Sequence, residues 1–154
     1  MKLETEEEQL EAVKQNGFVI EFIKNPSEAV KLVAVKEFGY TIEYIKDPSE
    51  AVKLEAVKQN GYAIQFITNP SEEVQLEAVK EYGYAIQYIK NPSEAVQLAA
   101  IAAVKQYGDA ILYIENPSEE VQLEAVKQNG DAINYIENPC KKVKDMIKLM
   151  NLLR

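Results

Sequence analysis

The sequence contains no histidine, no tryptophan and only one cysteine in 154 residues. Histidine is the commonest general base and the commonest metal ligand of proteins, so its absence removes the usual starting point for catalysis. Without histidine or paired cysteines, the many carboxylates are expected to be solvated side chains on helices and not metal ligands. No Gly-rich phosphate loop or nucleophile elbow occurs either. We therefore expect no enzymatic activity and no cofactor.

Long uncharged apolar runs are also missing, so no segment supplies the roughly 20 apolar residues that a membrane-spanning helix requires. No secretion signal follows Met1, and we expect a cytoplasmic protein that does not bind membranes. Acidic residues outnumber basic ones by 25 to 17, which gives a formal net charge of −8. This balance disfavours direct binding to nucleic acid, because the phosphates carry the same charge.

What the sequence does contain is one motif in several copies. The six prolines stand at positions 26, 48, 70, 92, 117 and 139, and the six glycines at 17, 39, 61, 83, 108 and 130. Both series advance by 22 residues, except for one step of 25. Two markers that repeat in phase indicate a repeat array. We expect a single repeat domain over residues 1–154, divided into a capping repeat (1–24), five repeats (25–46, 47–68, 69–90, 91–115 and 116–137) and a C-terminal capping helix (138–154).

The first half of each repeat predicts an α-helix, here called helix A, which covers about residues 48–60 in the third copy. Asp47 is a good N-cap, and Pro48 suits the first helical position because its missing N–H would be unpaired there. Glu50 would then stand at the third position and close a capping box. Gly61 is expected to end the helix in a left-handed conformation. In the first copy, Thr5 and Glu8 form the capping box instead.

The second half predicts a second helix of about two turns, helix B. At 100° per residue its apolar side chains share one arc, which an alternating strand would not allow; in the third copy these are Tyr62, Ala63, Ile64, Phe66 and Ile67. A helix this short is unstable alone, so the copies must stack to bury their apolar faces. The predicted fold class is an all-α solenoid of about six helix-turn-helix repeats.

The repeat core reads Val-x-Leu-x-Ala-Val-x-x-x-Gly-x-Ala-Ile-x-Tyr-Ile and is followed by Asn-Pro-Ser-Glu. This motif, over about residues 6–140, resembles the short helical-pair repeats of the leucine-rich variant type. It is also similar to repeats of uncharacterised bacterial and viral proteins and, more distantly, to HEAT repeats. The resemblance implies an α-solenoid that binds other macromolecules and implies no catalytic activity.

Two sets of aromatic residues recur. One set occupies a single register of helix B, and we expect a buried core ladder there: Phe22, Tyr44, Phe66, Tyr88, Tyr113 and Tyr135. The other set flanks the glycines, where either a contact across the turn or an exposed binding edge is expected. From this set we select as partner-binding candidates Phe38, Tyr40, Tyr82, Tyr84 and Tyr107. Such amphipathic rings are enriched in binding hot spots.

The fourth full repeat, 91–115, is three residues longer than the others, and we place the extra residues in helix A at about 99–103. It also carries Leu112 where the other copies have Glu, Gln or Asn. An extended, alanine-rich helix beside an outward leucine suggests a docking patch, the alternative being a tolerated insertion with one surface leucine.

The two ends differ in charge: residues 1–24 contain three Lys and six Glu, and residues 138–154 contain five basic residues and one acidic residue. The last segment predicts a basic amphipathic helix that caps the final repeat. We expect a monomer in preference to a head-to-tail oligomer. Cys140, in the register of the serines and beside Lys141 and Lys142, is a candidate reactive thiol, since a helix N-terminus and cations favour the thiolate.

These observations predict a non-enzymatic interaction module that binds a protein or peptide through its solenoid surface. Two alternatives stay open. One is an acidic decoy of a nucleic-acid-binding protein that uses Glu72, Glu73, Glu77 and Glu81. The other is an engineered consensus scaffold with no natural partner.

Overall fold

The structure is a computed structural model that describes residues 3–104 and 109–153. Within these ranges it contains α-helices and 3₁₀ helices, and no strand. The α-helices are α1 (Glu6–Gln15), α2 (Glu28–Glu37), α3 (Glu50–Gln59), α4 (Glu72–Glu81), α5 (Glu94–Ala103), α6 (Glu119–Gln128) and α7 (Lys141–Leu152). The 3₁₀ helices, one after each of the first six, are Gly17–Phe22, Gly39–Tyr44, Gly61–Phe66, Gly83–Tyr88, Asp109–Tyr113 and Gly130–Tyr135.

The repeats pack in chain order and form an all-α solenoid with two layers. Each α-helix packs against the α-helices of the copies before and after it, and each 3₁₀ helix does the same in its own layer. The core lies between the layers and repeats the same positions from copy to copy; in the third copy these are Val52, Ala56, Val57 and Ile64. Because a ten-residue helix and a six-residue 3₁₀ helix are short, their stability depends on these inter-repeat contacts.

The start of the α-helix differs from the prediction in the five full repeats. Helix α3 begins at Glu50, and its N-cap is Ser49, whose hydroxyl accepts a hydrogen bond from the Val52 N–H at 3.2 Å. Asp47 is therefore not the cap, and Glu50 does not close a capping box. Asp47 instead has a φ of 49°, a left-handed conformation that Asp and Asn tolerate better than other side chains. The capping box predicted for Thr5 and Glu8 is confirmed.

The glycines of the first four copies, Gly17, Gly39, Gly61 and Gly83, serve close packing and not a left-handed helix end. The φ of Gly61 lies outside the left-handed range, and Gly61 begins a 3₁₀ helix. A Cβ on Gly61 would lie 2.5 Å from the carbonyl oxygen of Ala78 in the next repeat. The glycine thus lets successive copies approach each other backbone to backbone.

A ladder of side-chain hydrogen bonds joins the helix starts of neighbouring repeats. The cap hydroxyl of Ser71 donates to the carboxylate of Glu50, the first residue of α3. Three other pairs repeat this contact at the same separation of 21 residues: Ser27 with Glu6, Ser49 with Glu28, and Ser93 with Glu72. Glu50 therefore links two copies, where the sequence had predicted a contact within one.

The three extra residues of the fourth full repeat do not lengthen its α-helix. Helix α5 has ten residues, like α2, α3, α4 and α6, and its buried positions Val96, Ala100 and Ile101 match Val52, Ala56 and Val57. The placement of the insertion at 99–103 is thus wrong, because the stacking fixes the helix length. When the copies are aligned on these buried positions, the three extra residues of the sequence come after Ala103. Residues 105–108 lie outside the described part of the chain.

Helices that could cross a membrane are absent from the described ranges, because none is both long and apolar enough.

Candidate functional site: an aromatic ribbon

Among the described residues, ten aromatic rings of successive repeats pack in three groups that follow one another along the chain, here called together the aromatic ribbon. The groups are Phe18, Phe38 and Tyr44; Tyr40 and Phe66; and Tyr62, Tyr82, Tyr84, Tyr88 and Tyr113. Two geometries alternate along it. The ring that follows a glycine meets the 3₁₀-helix ring of the next repeat edge to face, as Tyr40 and Phe66 do at 5.8 Å. Rings around neighbouring glycines also pack, as Tyr62 and Tyr82 do at 4.5 Å.

The ribbon faces solvent despite these contacts. Phe18, Phe38, Tyr40, Tyr44, Tyr82, Tyr88 and Tyr113 are 36–47% exposed. The expected core ladder in the 3₁₀ helices is therefore wrong for five of its six rings, and Phe22 is even 81% exposed. Phe66 is half-buried and packs against the core. The core is filled by the isoleucines beside these rings, such as Ile42 and Ile64. The Phe/Tyr exchange in this register was the sequence signal for a ring that reaches water.

Two ribbon rings occupy positions where a polar cap would otherwise stand. Asn16 and Asn60 cap their 3₁₀ helices by accepting a hydrogen bond from the N–H two residues later, at 3.1 and 3.0 Å. Phe38 and Tyr82 stand in the same register and give no side-chain cap. An N-cap contributes about 1 kcal/mol to helix stability. The second and fourth copies therefore have a ring in place of a locally stabilising asparagine.

Hydrogen bonds and burial shift the titration of two ribbon phenols. The Tyr84 hydroxyl donates to Oδ1 of Asp109 at 2.8 Å, and this bond raises the pKa of Tyr84 to about 12. Burial, followed by the hydrogen bond with Tyr82, raises the pKa of Tyr62 to about 12. Both side chains are therefore neutral hydrogen-bonding phenols at physiological pH. The residue that follows the glycine is aromatic in the first four copies. It is an aspartate in the last two, Asp109 and Asp131.

Four of the sequence candidates belong to the ribbon. Tyr82 and Tyr84 pack on each other, whereas Phe38 packs on Phe18 and Tyr40 on Phe66. Tyr107 lies outside the described residues. Leu112, the chain neighbour of the ribbon residue Tyr113, is 52% exposed and borders a cleft of about 560 Å³ together with Tyr135. Its register is exposed in the other copies as well, so Leu112 is an apolar group at an ordinary surface position.

Two of the acidic residues of α4 that the decoy alternative uses make contacts within the solenoid or are partly buried in it. Glu72 accepts the Ser93 hydroxyl in the inter-repeat ladder, and Glu77 is half-buried. Among the described residues, no group of three or more Cys, Asp or Glu side chains is arranged to hold a metal ion.

Cys140 is the N-cap residue of α7, but its thiol makes no cap hydrogen bond. Its N–H donates to Oε1 of Gln122 at 2.8 Å. Glu119, which would otherwise pair with a serine here, forms an ion pair with Lys142. The half-buried thiol thus replaces a structural serine, and its reactivity stays a prediction.

Comparison of the chain with protein-family models, with curated proteins and with solved structures gives no match in any of the three. The resemblance to leucine-rich variant and HEAT repeats therefore stays a prediction, while the repeated unit of an α-helix and a 3₁₀ helix is a property of the structure itself.

Proposed function

We propose that the protein is a non-enzymatic interaction module whose aromatic ribbon binds a protein or peptide. The observation that carries this proposal is the presence of rings at Phe38 and Tyr82, where asparagine caps the 3₁₀ helix in other copies. A ring that served only to fill the core would be buried, yet both side chains are more than 40% exposed. Exposed aromatic rings that repeat along successive copies provide large contact areas with little loss of side-chain entropy on binding.

The geometry favours an extended partner. The three ring groups of the ribbon follow one another in chain order, because six of the seven ring pairs join one copy to the next. Tyrosine hydroxyls along it can donate and accept hydrogen bonds while the ring faces pack against apolar groups or cations. The resemblance to leucine-rich variant and HEAT repeats implies binding to macromolecules, which supports the proposal of a protein or peptide partner.

The test is affinity capture from a cell lysate with the wild-type chain and with the double variant Phe38→Asn, Tyr82→Asn. This variant removes two rings and supplies two cap residues that the repeat already uses, so folding is expected to be kept. Tyr135→Ala is the matched control, because Tyr135 is equally exposed but lies outside the ribbon. We expect partners retained by the wild type and by Tyr135→Ala to be lost from the double variant; equal recovery on all three would contradict the proposal.

Salt dependence separates this function from that of an acidic decoy. Contacts through aromatic rings are expected to persist at high ionic strength, whereas a complex held by carboxylates weakens steeply once the Debye length falls to about 3 Å near 1 M salt. Capture should therefore be repeated at low and high salt, and loss of every partner at high salt would favour the decoy.

A further inference from the structure

The first repeat has a partly open face on the side opposite the second repeat. A cleft of about 720 Å³ lies there, bordered by apolar groups of Leu3, Ala12 and Val19. Three carboxylates, those of Glu7, Glu8 and Glu11, line the same cleft. The surface therefore combines apolar area with negative charge.

The repeat register shows that this face is one that other copies cover. The residues equivalent to Ala12 are all fully buried: Ala34, Ala56, Ala78, Ala100 and Ala125. The residues equivalent to Val19 are fully buried as well: Thr41, Ala63, Ala85, Ala110 and Ala132. Ala12 and Val19 themselves are only half-buried. The difference arises because in the first to fourth full repeats the glycine turn of the preceding copy packs on this face, as Gly61 does on Ala78.

Glu8 decides what kind of neighbour this face can take. It stands in the register of five fully buried valines: Val30, Val52, Val74, Val96 and Val121. Its carboxylate accepts the N–H groups of Thr5 and Glu4 at 3.0 and 2.9 Å, and these bonds lower its pKa. Glu8 is thus ionised at neutral pH. An apolar repeat face would leave this charge unpaired, so a complementary neighbour must bring cations together with apolar groups.

The outer face of α7 has that composition. The inner face of α7 covers the sixth repeat with Val143, Ile147 and Met150. The opposite face exposes lysines at 141, 144 and 148, with one acidic residue, Asp145, among them. The last turn exposes three leucines by 61–88%: Leu149, Leu152 and Leu153. Exposed leucines beside lysines form an apolar and basic surface of the kind that marks an interaction site.

We propose that the chain, a monomer at low concentration, associates head to tail: the basic, leucine-bearing outer face of α7 of one copy docks on the acidic cleft of α1 of a second copy. The two surfaces are different and lie at opposite ends of the solenoid. A heterologous contact builds linear chains when its rotation does not close a ring, and we expect linear chains from surfaces at the two ends of a solenoid. This association is independent of the aromatic ribbon.

The first test is sedimentation velocity of the full chain over a wide range of concentrations, at low and high salt. We expect the weight-average mass to rise continuously with concentration at low salt and to fall back towards the monomer at high salt, because the lysine–glutamate attraction is screened. A monomer under all conditions would overturn the proposal. A mass that stops at the dimer would also overturn it, since an open contact has no such limit.

The second test exchanges the charges. Glu7→Lys with Glu11→Lys makes the cleft basic, and Lys144→Glu with Lys148→Glu makes the α7 face acidic; all four side chains are exposed, and circular dichroism verifies folding. Each double variant alone should self-associate at least about tenfold more weakly than the wild type. Mixing the two should restore assembly, because each altered end then meets an opposite charge. Unchanged self-association of either variant, or no recovery on mixing, would contradict the head-to-tail contact.

Discussion

The hydroxyl of Tyr84 donates a hydrogen bond of 2.8 Å to the carboxylate of Asp109, 25 residues further along the chain. This bond connects the fourth copy with the fifth across the one place where the 22-residue period is broken. In the fifth copy the residue after the glycine is thus an aspartate that binds Tyr84, where the earlier copies have an aromatic ring. The hydrogen bond keeps the Tyr84 ring oriented beside Tyr113.

Replacement of the carboxylate, Asp109→Asn, is expected to lower the pKa of Tyr84 from about 12 towards its ordinary value of 10.0. Because the folded-state pKa is raised, the bond contributes its full stability below about pH 10 and loses it as the pH rises towards about 12. A titration of phenolate absorbance would show one of the nine tyrosines ionising at lower pH in the variant. Asp131→Asn, the same change in the next repeat, serves as the control; identical curves for Asp109→Asn and wild type would refute the assignment.

The double variant Phe38→Asn, Tyr82→Asn also makes a prediction about stability. Each asparagine is expected to add a cap worth about 0.5–1 kcal/mol, and each lost ring removes packing worth about 0.5–1.5 kcal/mol. The free energy of unfolding should therefore stay within about 2 kcal/mol of the wild type while partner capture is lost. Urea denaturation measures the first quantity. A loss of stability well beyond that range would mean that the rings are structural.

Gly61→Ala is expected to destabilise the protein by about 1–3 kcal/mol, because the added Cβ would overlap the Ala78 carbonyl of the next repeat and force the copies apart. Gly130→Ala is the matched control. Its Cβ would meet only the flexible ends of Met150 and Ile147, at 3.3 and 3.7 Å, and should change stability little. Thermal unfolding of both variants checks the difference, and equal melting temperatures would speak against close backbone packing as the role of Gly61.

Cys140→Ser is expected to stabilise the protein by about 0.5–1 kcal/mol, because a serine at this N-cap can accept the Val143 N–H as its counterparts do in the other copies. Cys140→Ala removes the thiol without adding a cap and should not give this gain. Chemical denaturation of the three proteins makes the comparison. If the serine and alanine variants had the same free energy of unfolding, a serine at position 140 would not stabilise α7 as an N-cap, and the prediction would be wrong.

The sequence predicts the solenoid well because its period, its apolar positions and its helix-forming residues all agree. The error at the helix start has a local cause: Asp47 and Ser49 are both good caps, and propensity alone does not choose between them. The Ser71–Glu50 bond was not predicted, since it joins residues of different copies. The exposed rings were assigned to the core because hydrophobicity does not distinguish Ile20 from Phe22, whereas the packing of the two layers buries the first and exposes the second.

The central claim is that no repeat buries its apolar face without neighbours, and the most direct measurement is equilibrium unfolding of a two-repeat fragment, residues 47–90, beside the full chain. We expect the full chain to melt cooperatively and the fragment to lack stable helical structure in circular dichroism. A monomeric fragment with a cooperative melting transition would contradict the claim.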